Sequence, residues 1–83
     1  MVGKVLYKSS VKHDLRKISR EDVARILVQI RDELAQDPRT GEPLHGEFEG
    51  LFKFRVGDYR VIYAVSGENV VVLRIRHRAK AYG

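Results

Sequence analysis

Residues 51–77 constrain the fold more than any other stretch. They read LFKFRV, GD, YRVIYAV, SGEN, VVVLRIRH: three alternating or β-branched runs parted by two short glycine-bearing turns. A period of two marks a strand with one covered face. Gly57-Asp58 suits a two-residue type II′ hairpin turn in which the glycine takes the positive φ. Strands are therefore predicted over 51–56, 59–65 and 70–77, joined as an antiparallel meander. Opposed residues in a hairpin share a face. With a GD loop, Val56 opposes Tyr59, Arg55 opposes Arg60 and Lys53 opposes Ile62. Phe52, Phe54, Val56, Tyr59, Val61, Tyr63 and Val65 then form one apolar face that needs cover. Lys53, Arg55 and Arg60 lie on the other, with Leu51, Ile62 and Ala64. The even-length SGEN turn carries this parity into the third strand and puts His77 on the face of Lys53 and Arg60.

The cover is encoded upstream. KVLYK (4–8) reads as a short strand, with Val5 and Tyr7 on one face. Ser9 or Ser10 can cap a helix over 11–18, whose stripe is Val11, Leu15 and Ile18. Ser19 followed by Asp22 resembles a capping box and starts a second helix over 21–36. Its stripe is Val23, Ile26, Leu27, Ile30 and Leu34, and Asp37-Pro38 ends it, because the residue before proline is pushed out of the α region. Residues 37–50, DPRTGEPLHGEFEG, hold both prolines and read as a long loop. The predicted fold is α+β, in the order β-α-α-β-β-β: one domain over 1–83, an antiparallel sheet with a two-helix hairpin on one face.

Composition excludes several functions. There is no cysteine, so thiolate catalysis, disulfides and thiolate metal sites are ruled out. His13, His45 and His77 are too scattered for a zinc motif, and neither a metal nor another cofactor is expected. No apolar run approaches the roughly 20 residues of a membrane span. The start, MVGKVLYKSS, has no signal-like apolar core, so a cytoplasmic protein is expected.

The formal charge of +5 is segregated. Residues 1–20 carry six Lys/Arg and one acid, residues 21–50 three Lys/Arg and eight acids, and residues 51–83 seven Lys/Arg and two acids. Basic ends around an acidic middle point to a polyanionic partner. Cations directly opposed across a strand pair repel, so the Arg55–Arg60 pair reads as an anion site. Arg74, Arg76, Arg78 and Lys80 follow within seven residues, with His77 among them and Tyr82 just beyond. Arginine supplies a planar fork for phosphate and tyrosine a face for a base, a combination suited to single-stranded nucleic acid.

The run LHGEFEGLFKFRVGDYRVIYAV, followed by VVVLRIRHRAKAYG, resembles the RelE/ParE toxin superfamily of toxin–antitoxin modules, nearest the RelE-type mRNA interferases. With the helical hairpin, the resemblance covers nearly the whole chain. It implies a metal-independent endoribonuclease that enters the ribosomal A site and cuts mRNA there. The 2′-hydroxyl attacks the adjacent phosphate and leaves a 2′,3′-cyclic phosphate. It also implies a cognate, RelB-like antitoxin. Carried over by position, Lys53 matches a strand lysine, Arg60 the YR arginine, Arg78 the arginine after the last strand and Tyr82 the C-terminal tyrosine. His45 stands where some members have arginine. Leu51 occupies the place of a second family lysine, a candidate general base, so that role passes to Lys53, His77, His45, Glu47 or Glu49. The ParE branch, which poisons DNA gyrase without the ribonuclease site, shares the fold and is the alternative.

The expected division of labour follows from the chemistry. Arg60 and Arg78 clamp the phosphate, because guanidinium stays charged and can bond two oxygens. Lys53, or in its place His77, His45, Glu47 or Glu49, takes the 2′-hydroxyl proton, and Arg78 or His77 returns one to the leaving oxygen. Tyr82 stacks on or orients a base. Arg55, Arg76, Lys80 and His45 are expected to contact RNA.

Overall fold

Two short turns and one extra residue set the architecture of the computed structural model, which describes residues 3–77. The chain runs through strand β1 (Val5–Tyr7), helix α1 (Ser9–Leu15) and helix α2 (Arg20–Gln29), which continues into a π-helical turn (Ile30–Leu34). Strand β2 (Glu42–Pro43), a 3-10 turn (Gly46–Phe48) and strands β3 (Leu51–Val56), β4 (Tyr59–Ser66) and β5 (Asn69–His77) follow. Gly57 has φ 57° and Asp58 stays out of the positive region, as a type II′ turn requires. The β3–β4 register is the expected one: Val56 pairs with Tyr59, Arg55 with Arg60 and Lys53 with Ile62.

The sheet order is β1-β5-β4-β3-β2, and β1 lies parallel to β5. The sheet is therefore mixed rather than wholly antiparallel. The reason lies in the route of the chain. Tyr7 pairs with Val72. Helix α1 then continues along the same edge of β5, where Ser10 Oγ donates to the Leu73 carbonyl at 2.7 Å and Asp14 Oδ2 accepts from the Ile75 N–H at 3.0 Å. Strand and helix follow β5 in one direction, so β1 must run with it.

The helices cover the predicted face. Val11, Ile26, Ile30 and Leu34 are buried against Phe54, Val56, Val61, Tyr63, Val70, Val72 and Ile75, with Leu15, Ile18, Phe52 and Tyr59 packed around them. Ser19 Oγ accepts from the Asp22 N–H at 3.2 Å, the expected cap, and Glu21 and Asp22 sit favourably at the positive end of α2. Ile26, Ile30 and Leu34 recur every four residues. In a plain α-helix each such step overshoots a full turn by about 40°. The π turn, closed by Ala35 N–H to the Ile30 carbonyl at 3.0 Å, widens the helix and returns Leu34 to the core. Val65, expected inside, is exposed next to the Ser66 end of β4.

Half of the long loop is pinned. The buried Tyr63 hydroxyl donates to the Pro38 carbonyl at 2.7 Å and accepts from the Gly41 N–H at 3.0 Å. A Cβ on Gly41 would stand 2.5 Å from that hydroxyl oxygen, so only glycine fits. Glu42 and Pro43 then pair with Lys53 and Phe52 as a two-residue edge strand, a place that tolerates proline.

Strand β5 departs from the expected parity. Tyr63 pairs with Val72 but Ile62 pairs with Arg74, leaving Leu73 as the extra residue of a β-bulge. Beyond it every side chain changes face. His77 therefore opposes Tyr59 rather than joining Lys53 and Arg60, and Arg76 opposes Arg60 instead. Among the described residues, no helix is long and apolar enough to cross a membrane.

Candidate functional site

The outer face of the sheet, away from the helices, carries ordered rows of side chains. The hairpin register places Arg55, Arg60 and Arg76 side by side across β3, β4 and β5. Two residues along, Glu42, Lys53, Ile62 and Arg74 form the next row. Leu51, Ala64 and Val71 form the third. One end of the face is thus cationic and the other apolar.

Directly opposed arginines repel each other. Two such contacts, Arg55 with Arg60 and Arg60 with Arg76, occupy one row. Three guanidinium groups in a line can share the oxygens of one phosphate or bridge two successive phosphates. A hollow of about 260 Å³ opens here, lined by Glu42, Lys53, Phe54, Arg55 and Arg60. Lys53 Nζ lies 3.8 Å from Glu42 Oε2, and the Lys53 side chain is only 32% exposed. Lys53 and Glu42 thus form a loose ion pair beside the arginine row.

A second hollow of about 210 Å³ adjoins the first. Leu44, Phe48, Leu51, Ile62 and Leu73 line it, with Arg74 and Arg76 at its rim. Phe48, on the 3-10 turn, is 47% exposed. The bulge supplies the rim of this arrangement by turning Arg74 and Arg76 to the outer face, where Leu73 also stands.

A third hollow, about 510 Å³, lies at the open edge of β5 between Asp14, Lys17, Ile18, Tyr59, Arg74, Ile75, Arg76 and His77. His77 meets Tyr59 edge to face, with ring centroids 5.5 Å apart. The Tyr59 hydroxyl donates to Asp22 Oδ2 at 3.2 Å, and burial together with that bond raises its pKa. Asp14 is the one buried charged side chain among the described residues. Arg74 Nε and Nη2 donate to its two carboxylate oxygens, each at 2.9 Å. Burial pushes the Asp14 carboxyl up, but the Arg74 fork and the Ile75 N–H outweigh it and hold the group below the usual carboxylate range. The same fork pushes the Arg74 guanidinium pKa further up, against the opposing effect of desolvation.

Of the expected site residues, Lys53, Arg55, Arg60 and Arg76 gather on one face. His45 is exposed on the loop before the 3-10 turn, with Glu47 and Glu49 exposed beyond it. His77 stands on the opposite face. Arg78, Lys80 and Tyr82 lie outside the described residues. The reading from sequence passed over Asp14 and Glu42. Asp14 carried a signal, since it is four residues after Ser10 on one helix face and is the sole acid among residues 1–20. Glu42 carried none, since its place depends on the Tyr63 anchor. Among the described residues, no group of three or more His, Asp and Glu side chains could hold a metal ion.

Known proteins share this chain's sequence pattern and fold. Residues 5–82 match the family of the ParE toxin of the type II toxin–antitoxin system parDE. The chain is 35% identical over 81 residues to Toxin RelG of Mycobacterium tuberculosis, covering 94% of this chain and 93% of that one. Its fold superposes on the M. tuberculosis toxin–antitoxin complex RelBE2 with a TM-score of 0.87 and 31% identity, covering 94% of this chain and 100% of that one. The archaeal RelE–RelB complex from Pyrococcus horikoshii gives 0.73 and 27%, covering 98% and 100%. The chain belongs to the RelE/ParE family of type II toxin–antitoxin toxins.

Proposed function

We propose that this toxin is an endoribonuclease that cuts mRNA in the ribosomal A site and so arrests translation in the cytoplasm. The observation that carries this reading is the Arg55–Arg60–Arg76 row beside Lys53. Such a row of guanidinium groups matches the spacing of charge along a phosphate backbone. Likeness to Toxin RelG and to RelE chains supports the same assignment.

In this reading the neutral amine of Lys53 takes the 2′-hydroxyl proton and becomes the ammonium, which Glu42, 3.8 Å from Nζ, faces. Arg60 and Arg76, with Arg78 from the segment that follows, stabilise the charge that builds on the phosphorane. His77 is turned to Tyr59, so Arg78 supplies the leaving-group proton. Tyr82 holds the base next to the scissile bond in line. Arg55, His45 and Lys80 contact the flanking RNA. A RelB-like antitoxin silences the site. Two of the similar structures are toxin–antitoxin complexes, and the apolar hollow under Phe48 with its arginine rim suits an acidic antitoxin segment.

Programmed ribosomes incubated with the purified chain test the proposal. Codon-positioned cuts with 2′,3′-cyclic phosphate ends are expected, and Arg60→Ala should abolish most of them. The family description names a ParE toxin, which favours a gyrase poison as the second reading. If induction in cells stops thymidine incorporation before amino-acid incorporation, and no cuts form on ribosomes, that second reading replaces the first.

A further inference from the structure

The β5 bulge decides which arginines reach the outer face, and its support comes from one helix. Strand β1 pairs with β5 only through Val70, Val71 and Val72. Among the described residues, no strand pairs with the outer edge of β5 from Leu73 onward. An unpaired edge in a partly buried place needs other partners. Ser10 and Asp14, one turn apart on α1, provide them: Ser10 Oγ bonds the Leu73 carbonyl, and Asp14 Oδ2 accepts the Ile75 N–H at 3.0 Å. These bonds fall on either side of Arg74, directly after the extra residue. The Arg74 fork holds both Asp14 oxygens at 2.9 Å and so fixes the carboxylate in its place.

Removing the bulge shifts β5 by one position against β4, and a one-residue slip exchanges the two faces of a strand. Ile75 would then stand beside Arg60, His77 would share that outer face, and Arg76 would turn toward the core beside Tyr59.

We propose that Asp14 is a positioning residue for the phosphate site: by standing in for a strand at the open edge of β5, it holds the bulged register that sets Arg76 beside Arg60. This rests on the ribonuclease reading for its consequence in catalysis, but not for its consequence in structure. Asp14 touches no substrate. It acts through Ile75 and Arg74; Arg74 opposes Ile62 in the neighbouring row, and Arg76 stands in the row with Arg55 and Arg60.

Asp14→Ala is the test, with Asp14→Asn as the milder variant should alanine fail to fold. Asparagine keeps one oxygen that can accept from the Ile75 N–H and Arg74 Nε as Oδ2 does, but it loses the charge and sets an amide donor where Oδ1 accepts from Arg74 Nη2. Two readouts are taken on folded protein: nuclear Overhauser contacts between Arg60 and Arg76, and kcat and KM for cutting on programmed ribosomes. The expected result is loss or doubling of the Arg60–Arg76 contacts and a fall in kcat on the order of 10²-fold for alanine, with a smaller fall for asparagine and KM little changed. A residue that merely stabilises the fold would lower the melting temperature and leave both readouts intact in the folded fraction. That outcome, or lost cutting with the Arg60–Arg76 contacts intact, overturns the proposal. If the parent chain itself makes no cuts, the ribonuclease reading fails, while the Overhauser contacts still decide whether Asp14 holds the register.

Discussion

Replacing Tyr63 by phenylalanine removes one oxygen and leaves the rest of the ring environment in place. The Tyr63 ring is fully buried and stacks on Phe52 with centroids 5.3 Å apart, a contact that phenylalanine keeps. The hydroxyl makes two bonds, to the Pro38 carbonyl and from the Gly41 N–H. At a net worth of about 0.5–1.5 kcal/mol each, their loss comes to about 1–3 kcal/mol. For a domain of this size that lowers the melting temperature by about 4–8 °C per kcal/mol. The pH dependence gives a second handle. Burial raises the pKa of the Tyr63 phenol, against the lowering effect of the Gly41 N–H. A raised folded pKa means that the native state keeps its proton where the unfolded chain has lost it. The contribution is full below the unfolded value of about 10 and is lost as pH rises above it. Urea titrations at pH 7 and at pH 10–11 measure both effects. The variant should be less stable at pH 7 and lose less of its stability on the alkaline side. Amide exchange at Glu42 should quicken too, since β2 hangs on this anchor. An unchanged urea midpoint at pH 7 would show that the loop is held by other contacts and that the Tyr63 hydroxyl is incidental.

Other outcomes follow from the same geometry. Phe54→Ala, in the buried centre of β3, should cost about 3–5 kcal/mol by calorimetry or urea unfolding. Asp14 titrates below the usual carboxylate range. It therefore adds stability above the unfolded value of about 3.9, and this is lost as pH falls through its lower folded value; acid titrations of Asp14→Asn should show a shallower loss below pH 4. Arg60→Ala should slow cutting on ribosomes by about 10²–10³ while leaving the melting temperature nearly unchanged, because its side chain lies outside the core. Lys53→Arg keeps the charge but has no neutral form near pH 7 with which to accept the 2′-hydroxyl proton; cutting at the parent rate would make Lys53 an electrostatic group and move the base to Glu42, His45, Glu47 or Glu49.

The sequence carries the β3–β4 hairpin almost completely. Gly57-Asp58 fixes a two-residue loop, and a loop of known length sets every opposed pair, down to Arg55 against Arg60. The helical stripes are legible for the same reason, since Ile26, Ile30 and Leu34 repeat at the helical period and are buried. Relations between distant segments are less legible. Nothing local tells β1 to run parallel to β5, because that direction depends on α1 covering the far half of the same edge. Nor does the DPRTGEPLHGEFEG segment reveal a strand. Glu42 and Pro43 pair with β3 only because Tyr63, 22 residues away from Gly41, holds the loop against the sheet.

The candidate site was legible up to the bulge and misplaced beyond it, although a trace of the bulge stands in the residues. In VVVLRIRH the even positions change character, from Val70 and Val72 to Arg74 and Arg76. An unbroken strand would bury both arginines with the valines, at several kcal/mol for each unpaired charge. One extra residue between Val72 and Arg74 removes that conflict, buries Ile75 instead and carries both arginines to the outer face. The two are then treated differently. Arg74 meets the carboxylate of Asp14 and is tied into the scaffold. Arg76, two residues on, meets Arg60, a like charge. The pattern RIR cannot say which arginine serves the fold and which serves the site, because the answer depends on a carboxylate 60 residues earlier in the chain. A change of parity within a β-branched run is therefore worth reading as a bulge before any residue after it is assigned to a face.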